Sequence, residues 1–238
     1  MEVVSILPQP LGIVKCPFHD EVKQLIKQEI VTKQGGKYVE ISPNSDELVH
    51  IDYYSVLDRP QFLKLREWVE EQATIFMENV LGEYVQEGSI VTDSWINICD
   101  KGGSQAPHYH TNSYVTGLYY VNFNGTEHVP TYFAKTSGVQ LFPNNANLTL
   151  PQRKNTRYNQ MDQVVAEEGD LFLWPSHIIH GYKRNEGDNR VTIAINIMPK
   201  MMTNGDYGWK VERLNDEDRL QVIDRKREGD LWWRPDFE

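Results

Sequence analysis

The chain has 238 residues, 39% hydrophobic and 24% charged, which is enough for one well-packed domain with decoration. Its formal net charge of -10 disfavours nucleic acid as a partner, because that binding rests on Lys and Arg against phosphate. Two cysteines, Cys16 and Cys99, do not make a disulfide framework and read as reduced, buried residues of a cytoplasmic protein.

In chain order, the opening MEVVSILPQPLG has no basic n-region and is not read as a signal peptide. No run approaches the roughly 18 apolar residues of a membrane span. VVSIL and LGIVKC read as short strands. Val22, Leu25, Ile26 and Ile30 recur at helical spacing between Phe18 and Ile30, and Gly35 with Gly36 ends that region. A second helix is expected over 59–81, with Asp58 as N-cap, Pro60 in its first turn and Gly82 as its stop. Phe62, Leu65, Val69, Phe76 and Val80 form its buried stripe.

From Ser89 the period changes. SIVTDSWINIC, TGLYYVNF, TYFA, GVQLFP, QVVA, DLFLWP, IIHGYK and RVTIAINIMP are short runs rich in β-branched and aromatic residues, separated by Gly, Pro, Asn and Asp. They predict a jelly roll or small barrel. After Pro199 the pattern stops. NDEDRLQVIDRKRE reads as an amphipathic helix, and Trp232 with Trp233 as anchors that dock the tail. The chain divides into N-terminal strands and scaffold helices at 1–88, a β core at 89–200 and an extension at 201–238, all within one compact domain. The fold class is mainly β with N-terminal helices.

His19, His50 and His128 lie in polar surroundings and are expected at the surface. His108 and His110 share one face of a strand, so they can hold one metal. In EEGDLFLWPSHIIHGY, Pro175 breaks a strand and His180 opens the returning one, which a closed roll lays beside His108. Three imidazoles then leave coordination positions open, as a catalytic metal requires. His177 is a fourth histidine in this region. Tyr109, between the first pair, is expected to point away into the core.

Arg190 follows His180 by ten positions and opens RVTIAINIM. Arg190, Thr192, Ala194 and Asn196 share one face of that strand. Val191, Ile193, Ile195 and Ile197 share the other. The second face is core; the first lines a pocket. An arginine pointing into a barrel needs an anion, either a ligand carboxylate, which Thr192 would also contact, or a structural acidic partner. Trp95 and Asn97 share a face of an earlier strand, and Asn97 either lines the site or makes a structural hydrogen bond.

The combination His108-Tyr109-His110, His180 and Arg190-Val191-Thr192, with TGLYYVN between, resembles the Fe(II)/2-oxoglutarate-dependent dioxygenases. Within them it is most similar to the prolyl-hydroxylase-like branch, and to uncharacterised members that write the first motif as HxH. The resemblance covers about Trp95 to Pro199. It implies a double-stranded β-helix, the jelly-roll and cupin-like fold, with Fe(II), 2-oxoglutarate and O2 as cofactor and cosubstrates. It assigns metal binding to His108, His110 and His180, and the far carboxylate of 2-oxoglutarate to Arg190, Thr192 and Tyr120. It implies hydroxylation of a peptide, amino acid or other small substrate, with succinate and CO2 as products. The family's usual pattern is HxD, so His110 stands where a carboxylate ligand is usual and removes one negative charge from the site. Two other readings stay open: a cupin that binds metal without 2-oxoglutarate, and a non-catalytic metal-binding or interaction module. Nothing in the sequence fixes the oligomeric state, so a homodimer is also open.

Overall fold

In the computed structural model, which describes residues 9–33, 39–40, 48–50, 56–134 and 162–215, alternating side chains build a seven-stranded antiparallel sheet. Its order is β1 (Gly12–Lys15), β9 (Asp170–Pro175), β6 (Val115–Asn122), β11 (Arg190–Pro199), β4 (Ser89–Cys99), β3 (Leu48–His50) and β2 (Val39–Glu40). A four-stranded sheet runs β5 (Gln105–His108), β10 (His180–Tyr182), β7 (Tyr132–Phe133) and β8 (Asp162–Gln163). Together these are the two sheets of the expected jelly roll. β4, β9 and β11 occupy the runs SIVTDSWINIC, DLFLWP and RVTIAINIMP from end to end.

The two faces of β11 do different work. Val191, Ile193, Ile195 and Ile197 join the larger core, which also takes Val22 and Ile26 of α1 (His19–Lys33) and Leu65, Val69, Ala73, Phe76 and Met77 of α2 (Leu63–Asn79). The helices therefore cover the outer face of the large sheet. A smaller core of Leu118, Tyr120, Phe172, Trp174 and Ala194 lies on its inner face.

Several expectations are corrected. The second helix begins later than 59. Pro60 instead starts a 3-10 turn, Pro60–Phe62, and α2 proper runs from Leu63 to Asn79. Asp58 does not cap the helix; its carboxylate pairs with Arg66 and Arg213. Val80 is 54% exposed because the helix has already ended. Gly82 does take the left-handed backbone that a stop requires, with φ +73°. The chain does not become irregular after Pro199, since β12 (Met201–Asn204) and β13 (Tyr207–Lys210) form a hairpin. Expectations for VVSIL, Gly35, Gly36, GVQLFP, Trp232, Trp233 and the tail from 216 onward lie outside the described residues, as do the side chains of Ile30 and His50.

Gly181 is the tightest point of the small sheet. A Cβ there would sit 2.7 Å from the Gln105 carbonyl oxygen, 2.9 Å from the Tyr132 hydroxyl and 3.1 Å from the Ala106 carbonyl oxygen. Two of those atoms belong to backbone that cannot turn aside. Gly181→Ala is expected to destabilise the fold by about 1–3 kcal/mol. Urea denaturation checks this, and an unchanged midpoint would refute the packing argument.

Candidate active site

Antiparallel pairing of β10 with β5 sets His180 directly opposite His108. β5 ends at His108, so His110 is placed not by strand alternation but by the turn that follows, where its backbone N–H donates to the Ser176 carbonyl at 3.1 Å. The result still brings the three rings together. Ring centroids are 4.3 Å apart for His108 and His180, 5.1 Å for His110 and His180, and 5.3 Å for His108 and His110. One ring nitrogen from each lies within 4.8 Å of the others. Trp95 stacks on His110, with centroids 5.8 Å apart and planes 19° from parallel.

Every Nδ1 in this cluster has an oxygen acceptor. That of His108 meets the Ala106 carbonyl at 2.9 Å, that of His180 the Ile178 carbonyl at 3.0 Å, and that of His110 the Asn196 side-chain oxygen at 2.5 Å. Oxygens of these kinds only accept, so the protons sit on Nδ1 and the Nε2 lone pairs are free. Metal-binding histidines are commonly oriented by this kind of bond. Burial lowers the pKa of His180 to about 3, against the bond to Ile178, and neighbouring His108 and His110 depress it further. Burial also lowers that of His110, against the bond to Asn196. Neutral rings are the form that binds a metal.

A cavity runs between the sheets from these rings to Arg190. Arg190 is 1% exposed. Its Nε donates to the Val129 carbonyl at 3.0 Å, and its Cζ lies 4.2 Å from the centre of the Tyr182 ring. Its Nη2 has no partner, and no carboxylate pairs with it among the described residues. The structural ion pair left open by the sequence is therefore not found among the described residues. The hydroxyls of Thr192 and Tyr182, the side-chain oxygen of Asn97 and the indole N–H of Trp174 are likewise buried without a hydrogen-bond partner in the same wall. Five orphaned polar atoms around one cavity are what a polar ligand would satisfy.

Thr192 and Asn97 are thus where the sequence put them. Tyr120 is not in the cavity wall. Its hydroxyl bonds Thr131 Oγ1 at 3.0 Å and accepts the Thr131 backbone N–H at 3.4 Å, and Thr131 is the residue that faces the cavity. The phenol in the wall is Tyr182, two positions after His180 and on the same side of β10. That alternation was readable in HGY, but nothing marked the tyrosine apart from ordinary core. Burial raises the pKa of both phenols, with Arg190 opposing it, so both keep their protons. The Cys99 thiol lies beside Tyr182 and raises it further.

The remaining histidines divide differently from expectation. His128 is 5% exposed, not superficial: its Nδ1 accepts the Asn124 N–H at 3.0 Å and its Nε2 donates to the Asp188 carbonyl at 2.9 Å. His19 is also largely buried, with Nδ1 2.7 Å from the Tyr119 hydroxyl and Nε2 3.1 Å from Glu168. His177 is exposed. Tyr109 does point away from the cluster, but into solvent rather than core, at 56% exposure.

Residues 93–196 match the family described as "Putative 2OG-Fe(II) oxygenase". No curated protein matches the chain. Among solved structures the fold is similar to the non-heme α-ketoglutarate-dependent epimerase SnoN of nogalamycin biosynthesis, at 12% identity and a TM-score of 0.59, over 87% of this chain and 92% of that one. It is similar to HygX from Streptomyces hygroscopicus, solved with nickel, 2-oxoglutarate and hygromycin B bound, at 15% identity and 0.54, over 82% and 85%. A Pseudomonas putida prolyl-4-hydroxylase is similar at 10% identity and 0.53, over 79% and 92%. At such identities the likeness to these structures is one of fold.

The depressed His180 predicts how the metal-free protein responds to acid. In the unfolded chain this ring takes a proton near 6.5; in the folded chain, near 3. Between those values the unfolded state binds the extra proton, so stability falls as pH drops through that window. Melting temperatures of metal-free wild type and His180→Gln check this. The mutant should show the shallower pH dependence, and parallel curves would refute it.

Proposed function

We propose that the chain, whose residues 93–196 match the 2OG-Fe(II) oxygenase family, is an Fe(II)- and 2-oxoglutarate-dependent dioxygenase that hydroxylates a peptide, amino acid or other small substrate at the His108, His110 and His180 site. One observation carries the assignment of residues. A buried arginine without a counter-charge among the described residues lies along one cavity with three convergent imidazole nitrogens. Burying an unpaired charge is costly, so the cavity is built for an anion that also reaches a metal.

The donor set fits iron, since imidazole suits that metal and three protein ligands leave positions open. When bound, iron and 2-oxoglutarate would supply the activation of dioxygen, yielding succinate and CO2 with oxidation of the substrate. The chain's own residues bind and orient. Arg190 offers its free Nη2 to the far carboxylate of the cosubstrate, and the hydroxyls of Thr192 and Tyr182 complete the cradle. Thr131 turns its hydroxyl proton to the cavity because Tyr120 occupies its acceptor side, so Tyr120 acts through Thr131. Ala194, between Thr192 and Asn196 on β11, is small enough to leave the passage open. Asn97 and the Trp174 indole N–H, whose ring centre is 4.8 Å from that of His180, bind the remaining polar edges of cosubstrate or substrate. The likeness to a prolyl-4-hydroxylase and to HygX supports a peptide or a small molecule as the substrate class. Against the cupin reading, which needs a structural ion pair, no carboxylate pairs with Arg190 among the described residues.

The direct test is addition of millimolar 2-oxoglutarate to anaerobic, iron-loaded protein. A visible charge-transfer band and a higher melting temperature are expected; the absence of both would end the proposal. His108→Ala and His180→Ala are each expected to abolish stoichiometric iron, read by metal analysis. Arg190→Ala should keep iron but weaken 2-oxoglutarate by about 2–5 kcal/mol, or roughly thirty-fold to several-thousand-fold. In titration calorimetry Tyr182→Phe should weaken it by about ten-fold and Tyr120→Phe by less. The reverse order would return the direct contact to Tyr120.

A further inference from the structure

We propose that Asn196 is the positioning residue that makes His110 a metal ligand. The proposal rests on the three-histidine reading above and explains how a third imidazole is held there. His108 and His180 are each oriented locally, by the carbonyl two residues earlier in their own segments. His110 has no such local partner. It lies beyond the end of β5, half-buried, and its Nδ1–H donates to the Asn196 side-chain oxygen of β11 at 2.5 Å.

Asn196 is suited to that task. It is 2% exposed and sits within β11, opposite Asp93 of β4 on one side and Thr116 of β6 on the other. Its amide cannot be turned over without loss, because its Nδ2 donates to the Asn112 side-chain oxygen at 3.4 Å. With the oxygen thus aimed at His110, the proton is fixed on Nδ1 and the Nε2 lone pair is left for the metal. Trp95, stacked on the other side, limits the ring to one plane.

The choice of an amide has a consequence for charge. Among the described residues no acidic side chain lines the cavity, and Arg190 is the one permanently charged side chain there. With a neutral third ligand and a neutral residue behind it, the metal charge is left for an anionic cosubstrate to neutralise. A carboxylate at position 196 could hold the same proton, but its negative charge would compete with that anion.

Three variants test the assignment: Asn196→Ala, Asn196→Asp and, as reference, His110→Ala. Each is loaded with Co(II), and its affinity is measured by competition with a chelator. Proton NMR then counts the shifted, exchangeable imidazole N–H signals. Wild type should show three. Asn196→Ala should bind Co(II) about ten- to a hundred-fold more weakly and lose one signal, while its circular dichroism stays native. Asn196→Asp should restore the affinity and the third signal yet bind 2-oxoglutarate more weakly than wild type. If Asn196→Ala does not fold, Asn196→Ser, which cannot reach the ring, replaces it with the same expectation. Wild-type affinity and three signals in the Ala or Ser variant would overturn the proposal, provided His110→Ala is weakened. If His110→Ala binds Co(II) as wild type does, the three-histidine reading itself fails, and the proposal with it.

Discussion

Arg190 is the constraint around which the inner face is organised. A guanidinium taken out of water without an acid beside it is one of the most expensive groups a fold can contain. Here it is held by aromatic faces and one carbonyl. Tyr182 lies against it, and Tyr120 and Phe123 stand farther off, with ring centres 5.8 Å and 5.9 Å from Cζ. The Val129 carbonyl that receives Nε is itself fixed by a fully buried asparagine. Asn185 accepts the Val129 N–H at 3.1 Å, and its amide donates to the carbonyls of Cys99 and Gly187. The cation is therefore immobilised before any ligand arrives, and its Nη2 is left without a partner. That is preorganisation in the sense used for binding sites, with the ordering cost met during folding.

The rest follows from placing that residue at the start of a central strand. β11 is hydrogen-bonded on both sides, to β4 and β6, so neither its register nor its facing can drift. Every second side chain is then committed. One set of four joins the helix-covered core; the other presents a cation, a hydroxyl and a methyl in that order to the cavity, followed by the amide that bonds His110. A slip by one residue would bury the polar set in the core and expose the apolar set to the cavity, which is why the register is strongly specified.

Much of this was legible because a period of two is hard to disguise. RVTIAINIM separates its faces without help from any other segment, and SIVTDSWINIC and DLFLWP have clear ends. The pairing of His180 with His108 was legible too, since Pro175 forces a turn. What stayed hidden depends on contacts between segments far apart in sequence. HGY does not say that the tyrosine lies on a guanidinium, because the guanidinium comes from another strand. TGLYYVN does not say that the Tyr120 hydroxyl is taken by Thr131. His128 looks like a loop residue in NGTEHVP; only the fold brings the Asp188 carbonyl to its Nε2. Val80 fits the stripe of a helix expected two residues beyond its actual end at Asn79. Tyr109 alternates away from its neighbours as expected, but the strand has ended, so solvent rather than core lies beyond it.

The adjacent pair Tyr119 and Tyr120 joins the two sides of the large sheet. Pleating sends them to opposite faces. Outside, Tyr119 touches His19 at the start of α1, and His19 is tied through Glu168 to Lys23 of the same helix. Inside, Tyr120 fixes Thr131 in the cavity wall. Two consecutive peptide units thus connect a surface helix to the lining of the site, with no flexible element between them. The helical layer is consequently more than a cover for apolar surface. It is a mechanical backing plate, and a change in how α1 seats on the sheet would reach the cavity through one short stretch of rigid backbone.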